Sequence, residues 1–387
     1  MSTRTWLIAK SWNISQLPKG LVAVCISLRP FRNVEKTQTF RSVPEATRYG
    51  FIDAIRGIAA CLVMLQHSLA ESGLLGDWQG RLTGFIPNWL DLGETGVVAF
   101  FLVSGFVIPH SLERTSNFKL FWIHRALRIY PLYITVFIVT FAITGGGNIG
   151  SGSALFVDAI AHLFFVQEYF KQEVFVDGSW TLSLELVWYI SISCLFLVSL
   201  HKKTNLLVGL SVLVSSLAQI ACALGYHLPM GRLSMLLCCV FGLVCYRSER
   251  GEISRRKFAT LFVILALTIA INLVIGFKLF PSVKPAATFR EAIDSWTMAA
   301  LIFFVPFFMR KAAIWAHSGF NSLGRISFSI YLMHMVVLDL VPLTPLNGVW
   351  MVCFVFAMTL CTSILTYRFI EAPPIRFGHS LKATTLR

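Results

Sequence analysis

The apolar segment FIDAIRGIAACLVMLQHSL contains three ionisable residues, Asp53, Arg56 and His67. Ionisable side chains are costly inside a membrane-spanning helix, so they often mark functional sites. The spacing of Arg56 and His67 is close to three helical turns and roughly 16 Å of rise, which places both side chains on one helix face. Asp53 lies three residues before Arg56 and is expected to neutralise it. Snorkelling of Arg56 and a packing role for His67 are the alternatives.

A carboxylate is expected at nearly the same membrane depth as His67. Glu185 lies in the segment GSWTLSLELVWYI, about five residues inside the outer end of its predicted helix. A carboxylate beside an imidazole can fix its tautomer and stabilise the imidazolium. The pair formed by His67 and Glu185 therefore predicts a general base that acts on a hydroxyl group.

Two arginines share one helical face in the segment FWIHRALRIYPLY, where Arg125 and Arg128 are three residues apart. We expect them in the short loop before the third membrane helix, close to the membrane surface. Paired guanidinium groups match the geometry of phosphate oxygens, so the pair predicts a clamp for a nucleotide-bearing donor. The alternative is anchoring by basic residues on the cytoplasmic side.

Three further polar positions lie inside predicted spans. Ser104-Gly105 occurs in GVVAFFLVSGFVIP, where a small-residue pair predicts close helix approach or a kink. Tyr331 and His334 occur in ISFSIYLMHMVV without an obvious partner, and His334 is interpreted as structural rather than catalytic.

The elements that must position these residues are membrane helices. Hydrophobic residues make up 56% of the 387 residues and mean hydropathy is +0.70, which excludes a soluble globular enzyme and a disordered chain. Apolar runs without period-2 alternation predict an all-α polytopic bundle of about ten transmembrane helices. The predicted spans are 52–70, 94–110, 128–145, 181–200, 206–226, 232–247, 258–276, 296–310, 326–342 and 347–369.

The formal charge of +14 is distributed unequally between the two membrane faces. With a cytoplasmic N-terminus, 27 of the 33 Lys and Arg residues fall on the cytoplasmic side and six fall outside. Because cytoplasmic loops favour Lys and Arg, this asymmetry predicts an N-in, C-in topology with an even number of spans.

Both ends of the chain are predicted to be cytoplasmic. Residues 1–50 contain eight Lys and Arg residues, and the apolar run Leu21–Leu28 is too short to span a membrane or to indicate a signal peptide. They are expected to form a basic tail on anionic lipid, either ordered or disordered, and a start site placed too far upstream is the alternative. Residues 374–387 are expected to form a C-terminal tail, preceded by a cytoplasmic ion pair between Arg368 and Glu371.

Six segments in order resemble the acyltransferase 3 family of integral-membrane acyltransferases. The resemblance covers about Phe51 to Pro373 and implies a single transmembrane acyltransferase domain over 51–373. It also implies a cytoplasmic acyl-CoA co-substrate, usually acetyl-CoA, and transfer to a hydroxyl, commonly on a surface or exported carbohydrate. The segments are FIDAIRGIAACLVMLQH, GVVAFFLVSGFVI, HRALRIYPLY, SWTLSLE, ISFSIYLMH and YRFIEAP.

The same resemblance assigns residue roles. The catalytic positions of the family fall on His67 and Glu185. The positions expected to bind the acyl-CoA donor fall on Arg56, Ser104, Arg125 and Arg128. The departures from the family pattern are small: Gly178-Ser179 stands where proline is frequent, and Thr181 replaces the usual serine.

These expectations combine into one mechanism. Arg125 and Arg128 would bind the CoA phosphates inside, with Arg56 adding charge along the path of the donor. His67 would deprotonate the acceptor hydroxyl or carry the acyl group as an acyl-imidazole, with Glu185 orienting it. The expected partners are a carbohydrate acceptor, acyl-CoA and membrane lipid, without nucleic acid or metal, in a bacterial-type inner membrane. A transporter, or a non-catalytic partner in a polysaccharide export complex, is the alternative.

Acceptor contacts are expected from the outer loops, about 71–93 and 146–180. Acidic side chains there could accept hydrogen bonds from sugar hydroxyls, and a solvated outer face is the alternative. The candidates are Asp91, Asp158, Glu168, Glu173 and Asp177.

Overall fold

The computed structural model describes residues 49–74, 90–143, 152–170, 174–281 and 288–385. These ranges are helical and contain no strand, which confirms the all-α class. The predicted N-terminal tail, except its last two residues, lies outside the described residues. The helices are α1 (Gly50–Glu71), α2 (Leu92–Thr115), α3 (Phe118–Ile143), α4 (Gly152–Leu163), α5 (Ser179–Leu197), α6 (Thr204–Ala223), α7 (Met230–Glu249), α8 (Arg255–Val274), α9 (Phe289–Phe308), α10 (Ser318–Leu340), α11 (Gly348–Thr366) and α12 (Ala372–Thr385).

Ten helices of the described part are long and apolar enough to cross a membrane, as predicted. They are α1 to α3 and α5 to α11, whereas α4 has only 12 residues. The protein is therefore a multi-pass integral membrane protein. We call the end of the bundle at which α1 begins the basic end, and the end at which α1 finishes the acidic end. The N-in, C-in orientation, which would make the basic end cytoplasmic, stays a prediction.

The start of the third helix differs most from its predicted position. The helix α3 begins at Phe118 rather than near 128, so Arg125 and Arg128 lie inside a helix and not in a loop. At 1.5 Å per residue they lie about 10 and 15 Å beyond its first residue. The basic residues lowered the hydropathy of this segment, but the helix continues because both arginines face an internal cavity.

The last span also continues further than predicted. A π-helical turn, Tyr367–Glu371, joins α11 to α12, and α12 extends to Thr385. The prolines of APP directly follow this π-helical turn, among the first residues of α12. His124 Nε2 donates to the carbonyl oxygen of Gly378 at 2.9 Å, which fixes α12 against α3. The segment predicted as a C-terminal tail from 374 is therefore helical up to Thr385.

The predicted ion pair between Arg368 and Glu371 is wrong. Glu371 is buried and accepts a hydrogen bond from Ser329 Oγ at 2.9 Å, whereas Arg368 lies over the ring of Phe369. The π-helical turn rotates the Glu371 side chain towards α10 and away from the membrane surface. The carboxylate of Glu371 therefore lies in the interior of the bundle.

The centre of the bundle is a close crossing of α2 and α7. A Cβ atom on Gly105 would overlap the backbone carbonyl of Cys239, and one on Gly242 would overlap that of Leu102. The close helix approach predicted for Ser104-Gly105 is thus confirmed. Small residues allow backbones to meet in this way in membrane bundles, where helices associate by packing rather than by the hydrophobic effect.

Gly105→Ala is expected to destabilise the protein strongly, because the atoms that the new methyl group meets are backbone atoms of α7. Overpacking of this kind costs about 1–3 kcal/mol and sometimes more. Gly209→Ala in α6 is the matched control, since a Cβ atom at Gly209 meets nothing within 4 Å. Thermal unfolding of the detergent-purified variants should show a lower midpoint for Gly105→Ala only. Equal midpoints would contradict the proposed crossing.

Candidate active site

A cavity opens between α1, α2, α3, α5 and α10. It contains about 900 Å³ of unoccupied space, part of which is open to solvent. Five of the six residues predicted to form the site line it, and His67 does not. The polar residues of its lining are Arg56, Ser104, Arg125, Arg128, Thr181, Glu185, Tyr189, Ser327 and Tyr331.

Three half-buried guanidinium groups face this cavity. Arg125 Nη2 donates to Ser111 Oγ at 3.0 Å, and its guanidinium lies 5.6 Å from the ring centre of Phe121. Arg56 and Arg128 make no hydrogen bond or ion pair within the described ranges. Arg56 therefore lines the cavity and does not snorkel. A cavity with two guanidinium groups whose donors are unused by the described part of the chain is suited to an anionic ligand.

Carboxylates near the arginines balance part of this positive charge. Asp53, Glu371 and Glu185 each interact electrostatically with Arg56. Two of these groups are anchored by hydrogen bonds of their own, Glu371 by Ser329 and Glu185 by groups of the cavity wall. These carboxylates lower the free-energy cost of burying several positive charges in the bundle. Within the described ranges they accept no hydrogen bond from Arg56, so its N–H groups stay available.

Glu185 is held in the cavity wall by two hydroxyl groups. Ser104 Oγ donates to Glu185 Oε1 at 3.2 Å, and Tyr189 OH donates to the same oxygen at 2.5 Å. Tyr189 follows Glu185 by four residues, and this one-turn spacing was the sequence signal for the contact. The ring of Tyr189 also lies 5.9 Å from the guanidinium of Arg125. Glu185 is thus part of the arginine-lined cavity.

The predicted pair of His67 and Glu185 does not form. Within the described part of the chain, the hydrogen bonds of Glu185 come from Ser104 and Tyr189, and His67 contacts His334. The prediction matched the two residues by depth, but depth leaves the rotation of each helix about its axis undetermined. That rotation turns Glu185 towards the arginines.

His334, which the sequence left without a partner, is the partner of His67. The distance from His67 Nδ1 to His334 Nε2 is 2.9 Å, and the ring planes differ by 5°. The other ring nitrogen of His334, Nδ1, lies 3.1 Å from the carbonyl oxygen of Ile330. His334 is buried, whereas His67 is half-buried. The predicted spans place His67 near the end of 52–70 and His334 in the middle of 326–342, so depth gave no signal for this contact.

Tyr331 lies next to both the cavity and His334. It lines the cavity, and its ring centre lies 6.0 Å from that of His334. The hydroxyl of Tyr331 lies 2.8 Å from Thr181 Oγ1 and donates to the carbonyl oxygen of Gly178 at 3.1 Å. Tyr331 therefore joins α10 to the start of α5.

Two acidic residues at the acidic end act on His67. Asp91 and Asp177 both interact electrostatically with its imidazole. Asp91 also caps α2, accepting a hydrogen bond from the backbone N–H of Glu94 at 2.9 Å. The side chain of Asp177 is exposed. Both residues were predicted acceptor contacts, and of the five candidates they are the two that act on His67.

The other three candidate acceptor contacts have different surroundings. Asp158 is buried at 7% exposure. Glu168 forms an ion pair with Arg232 at 2.7 Å. Glu173 lies outside the described residues. Asp158 is thus less exposed to an external sugar than Asp177 is.

A family model described as an acyltransferase domain matches residues 49–368. Nodulation protein 10 of Rhizobium leguminosarum bv. viciae is 26% identical over 382 residues, covering 86% of this chain and 95% of that protein. Acyltransferase MdmB of Streptomyces mycarofaciens is 27% identical over 160 residues, 38% of this chain and 39% of that protein.

A third relative carries a more specific name. Peptidoglycan O-acetyltransferase OatA of Listeria monocytogenes is 25% identical over 325 residues, which cover 74% of this chain. The match spans about half the length of that relative, 52%. No solved structure matches the chain.

Proposed function

Because the chain belongs to the acyltransferase 3 family, whose domain model matches residues 49–368, we propose that it is a membrane O-acyltransferase with acyl-CoA as its donor. The acyl group is acetyl and the acceptor is a hydroxyl of a carbohydrate. One observation carries the proposal: among the described residues, Arg56 and Arg128 face the cavity without a hydrogen bond or ion pair, beside the anchored Arg125.

The donor fits this cavity by its chemistry. CoA carries several phosphate groups, and guanidinium groups bind phosphate oxygens through paired, charge-assisted hydrogen bonds. Beyond the arginines the lining is mostly apolar, with Val97, Phe100 and Phe101 among its residues. An uncharged pantetheine arm can lie along this wall, which places the thioester near Tyr331. The guanidinium and hydroxyl groups of the lining can donate hydrogen bonds to the phosphate oxygens of such a ligand.

The reaction then proceeds at the acidic end of the bundle. An unprotonated ring nitrogen of His67 takes the proton of the acceptor hydroxyl, and the hydroxyl oxygen bonds to the acyl carbon. The bond from carbon to sulfur breaks and the electron pair leaves with the sulfur. The sulfur takes the proton from His67, so the products are an ester and a free CoA thiol. Transfer through an acyl-imidazole on His67 is the two-step form of the same reaction.

A carbohydrate acceptor is supported by the acidic end and by a relative. Asp177 is exposed there and interacts electrostatically with His67, so it can accept hydrogen bonds from sugar hydroxyls close to the base. The relative from Listeria monocytogenes is named as a peptidoglycan O-acetyltransferase. We propose a glycan exposed at the outer face of a bacterial-type inner membrane, with the basic end in the cytoplasm.

The experiment that tests the proposal uses the purified full-length chain in lipid nanodiscs. Acetyl-CoA labelled in the acetyl group is supplied with glycan fragments, and free thiol and labelled glycan are measured together. We expect both in equal amounts, and a product heavier by about 42 Da, the mass that one ester-linked acetyl group adds. Binding or passage of a solute without thioester cleavage would contradict the proposal and favour a transporter.

A further inference from the structure

The contacts of His334 determine which of its nitrogens carries hydrogen. Nδ1 of His334 lies 3.1 Å from the carbonyl oxygen of Ile330, and a carbonyl oxygen only accepts hydrogen bonds. Nδ1 of His334 is therefore the donor in this contact. In a neutral imidazole that carries hydrogen on Nδ1, Nε2 has the lone pair and accepts. This places an acceptor opposite His67.

The tautomer of His67 follows from that of His334. His67 Nδ1 lies 2.9 Å from the accepting Nε2 of His334, so His67 Nδ1 carries the hydrogen and donates. The lone pair of neutral His67 is then on Nε2. The two contacts form one chain of hydrogen bonds from His67 through His334 to the backbone of α10 at Ile330.

The geometry of the two rings supports this hydrogen bond. The ring planes differ by 5° and the ring centres are 5.2 Å apart. When two imidazole ring centres are 5.2 Å apart, two of their nitrogens come closest if both lie on the line that joins the centres. The observed nitrogen separation of 2.9 Å is close to that minimum, so both nitrogens lie near this line. The rings are therefore nearly coplanar and meet edge to edge. This arrangement aligns a ring N–H with the lone pair of the other ring.

We propose that His334 is a positioning residue that holds His67 with hydrogen on Nδ1 and makes His67 Nε2 the base of the reaction. The inference rests on the proposed function and specifies its catalytic group. His334 therefore has the orienting role that the sequence analysis predicted for Glu185. When His67 Nε2 accepts a proton, the Nδ1–H of His67 keeps its acceptor, and the bond becomes charge-assisted.

A neutral positioning residue suits the buried location. His334 is 1% exposed and is fixed by the backbone of its own helix, so its orientation requires no second charged group. Imidazoles that bind metals are oriented in a similar way by a hydrogen bond on their other nitrogen, and loss of that bond typically costs 10–100-fold. We expect an effect of this size here.

Two substitutions of His334 separate positioning from packing. His334→Leu fills space but accepts no hydrogen bond from His67. His334→Gln carries an amide oxygen near the position of the histidine Nε2 and accepts one. The expected kcat falls roughly 10–100-fold for His334→Leu and recovers to within a few-fold of wild type for His334→Gln. KM for acetyl-CoA should stay constant in both variants, because His334 does not line the arginine-lined cavity.

A second measurement reads the tautomer without requiring activity. Solid-state NMR of the protein labelled with ¹⁵N-histidine distinguishes protonated from unprotonated ring nitrogens, and the His67 signals are identified by their loss in His67→Ala. We expect hydrogen on Nδ1 of His67 in the wild type and in His334→Gln. His334→Leu should shift His67 towards the tautomer with hydrogen on Nε2.

The outcomes are distinguishable from failure of the proposed function. No acetyl transfer by the wild type would contradict the acyltransferase proposal. Transfer by the wild type with full activity of His334→Leu would overturn the positioning role alone. Equal loss of activity in His334→Leu and His334→Gln would do the same, since it indicates packing. Hydrogen on Nε2 of wild-type His67 would overturn the inference at any level of activity.

Discussion

His67→Ala is expected to lower acyl transfer by about 10²–10⁴-fold, the contribution typical of a positioned general base. The loss should appear in kcat, with KM for acetyl-CoA nearly unchanged, because His67 lies outside the arginine-lined cavity. The reason is chemical: without the imidazole, the acceptor hydroxyl must lose its proton to water.

His67→Asn is the sharper variant for the same test. Removal of the His67 ring by alanine leaves the buried Nε2 of His334 without a donor, which costs about 1–3 kcal/mol and complicates a stability comparison. The amide nitrogen of asparagine lies near the position of the histidine Nδ1 and can donate to His334. His67→Asn should therefore fold like the wild type and still be inactive.

His227→Ala is the matched control for both variants. His227 is exposed near the acidic end of the bundle, in the connection before α7, and is not part of the cavity lining. The measurement is labelled acetyl transfer to glycan, together with the thermal midpoint of each purified variant. Substantial transfer by folded His67→Asn would show that the imidazole is not the base.

Sequence patterns were sufficient to predict the membrane spans and five of the residues that line the cavity. Hydropathy predicted ten spans, and the motif residues Arg56, Ser104, Arg125, Arg128 and Glu185 line one cavity. These residues were found because a charge in an apolar segment is conspicuous whatever its partner is. The length of an apolar span and the presence of a charged residue within it can both be identified from a short stretch of sequence.

The pairing of side chains across helices was not predictable in this way. Depth along the membrane follows from the position of a residue in its span, but helix rotation follows from packing. The small residues Gly105 and Gly242 indicate a close approach of α2 and α7, but they do not determine how α1, α5 and α10 are rotated about their axes. Glu185 was therefore assigned to the wrong partner, while His334 was left without one.

The start of α3 shows the same limitation for helix ends. A window of hydropathy treats Arg125 and Arg128 as polar surface and ends the span before them. In the structure both side chains face the cavity inside a continuous helix. Ionisable residues that face a cavity and not lipid are compatible with a span, so charge alone does not mark its end.

Arg128→Ala is expected to raise the dissociation constant of CoA by about 10- to 150-fold. Arg128 lines the cavity and makes no hydrogen bond or ion pair within the described residues, so its donors are available to a phosphate. Hydrogen bonds to charged groups contribute about 1.5–3 kcal/mol, and 1.4 kcal/mol corresponds to a factor of ten in affinity. Stability should change little, because the described residues show no hydrogen bond or ion pair of Arg128, and the loss of its attraction to Glu371 is offset by the loss of its repulsion of Arg56.

A truncated donor assigns the lost affinity to phosphate contacts. An acetyl thioester of N-acetylcysteamine keeps the reacting group but lacks every phosphate of CoA. We expect the wild type to bind acetyl-CoA far more tightly than this thioester, and Arg128→Ala to reduce the difference. Arg128→Lys should be intermediate, since lysine keeps the charge but not the paired donors of a guanidinium group.

Arg325→Ala is the control for loss of positive charge at the basic end. Arg325 is exposed on α10, its guanidinium donates to Ser322 Oγ at 3.0 Å, and it does not line the cavity. Calorimetric titration with CoA and with the truncated thioester should therefore give wild-type affinities for this variant. If Arg325→Ala weakened CoA binding as much as Arg128→Ala, the arginines would act through the general field of the basic end. If the cavity binds the phosphates directly, Arg128→Ala should lose affinity for CoA but not for the truncated thioester. Arg325→Ala should keep its affinity for both.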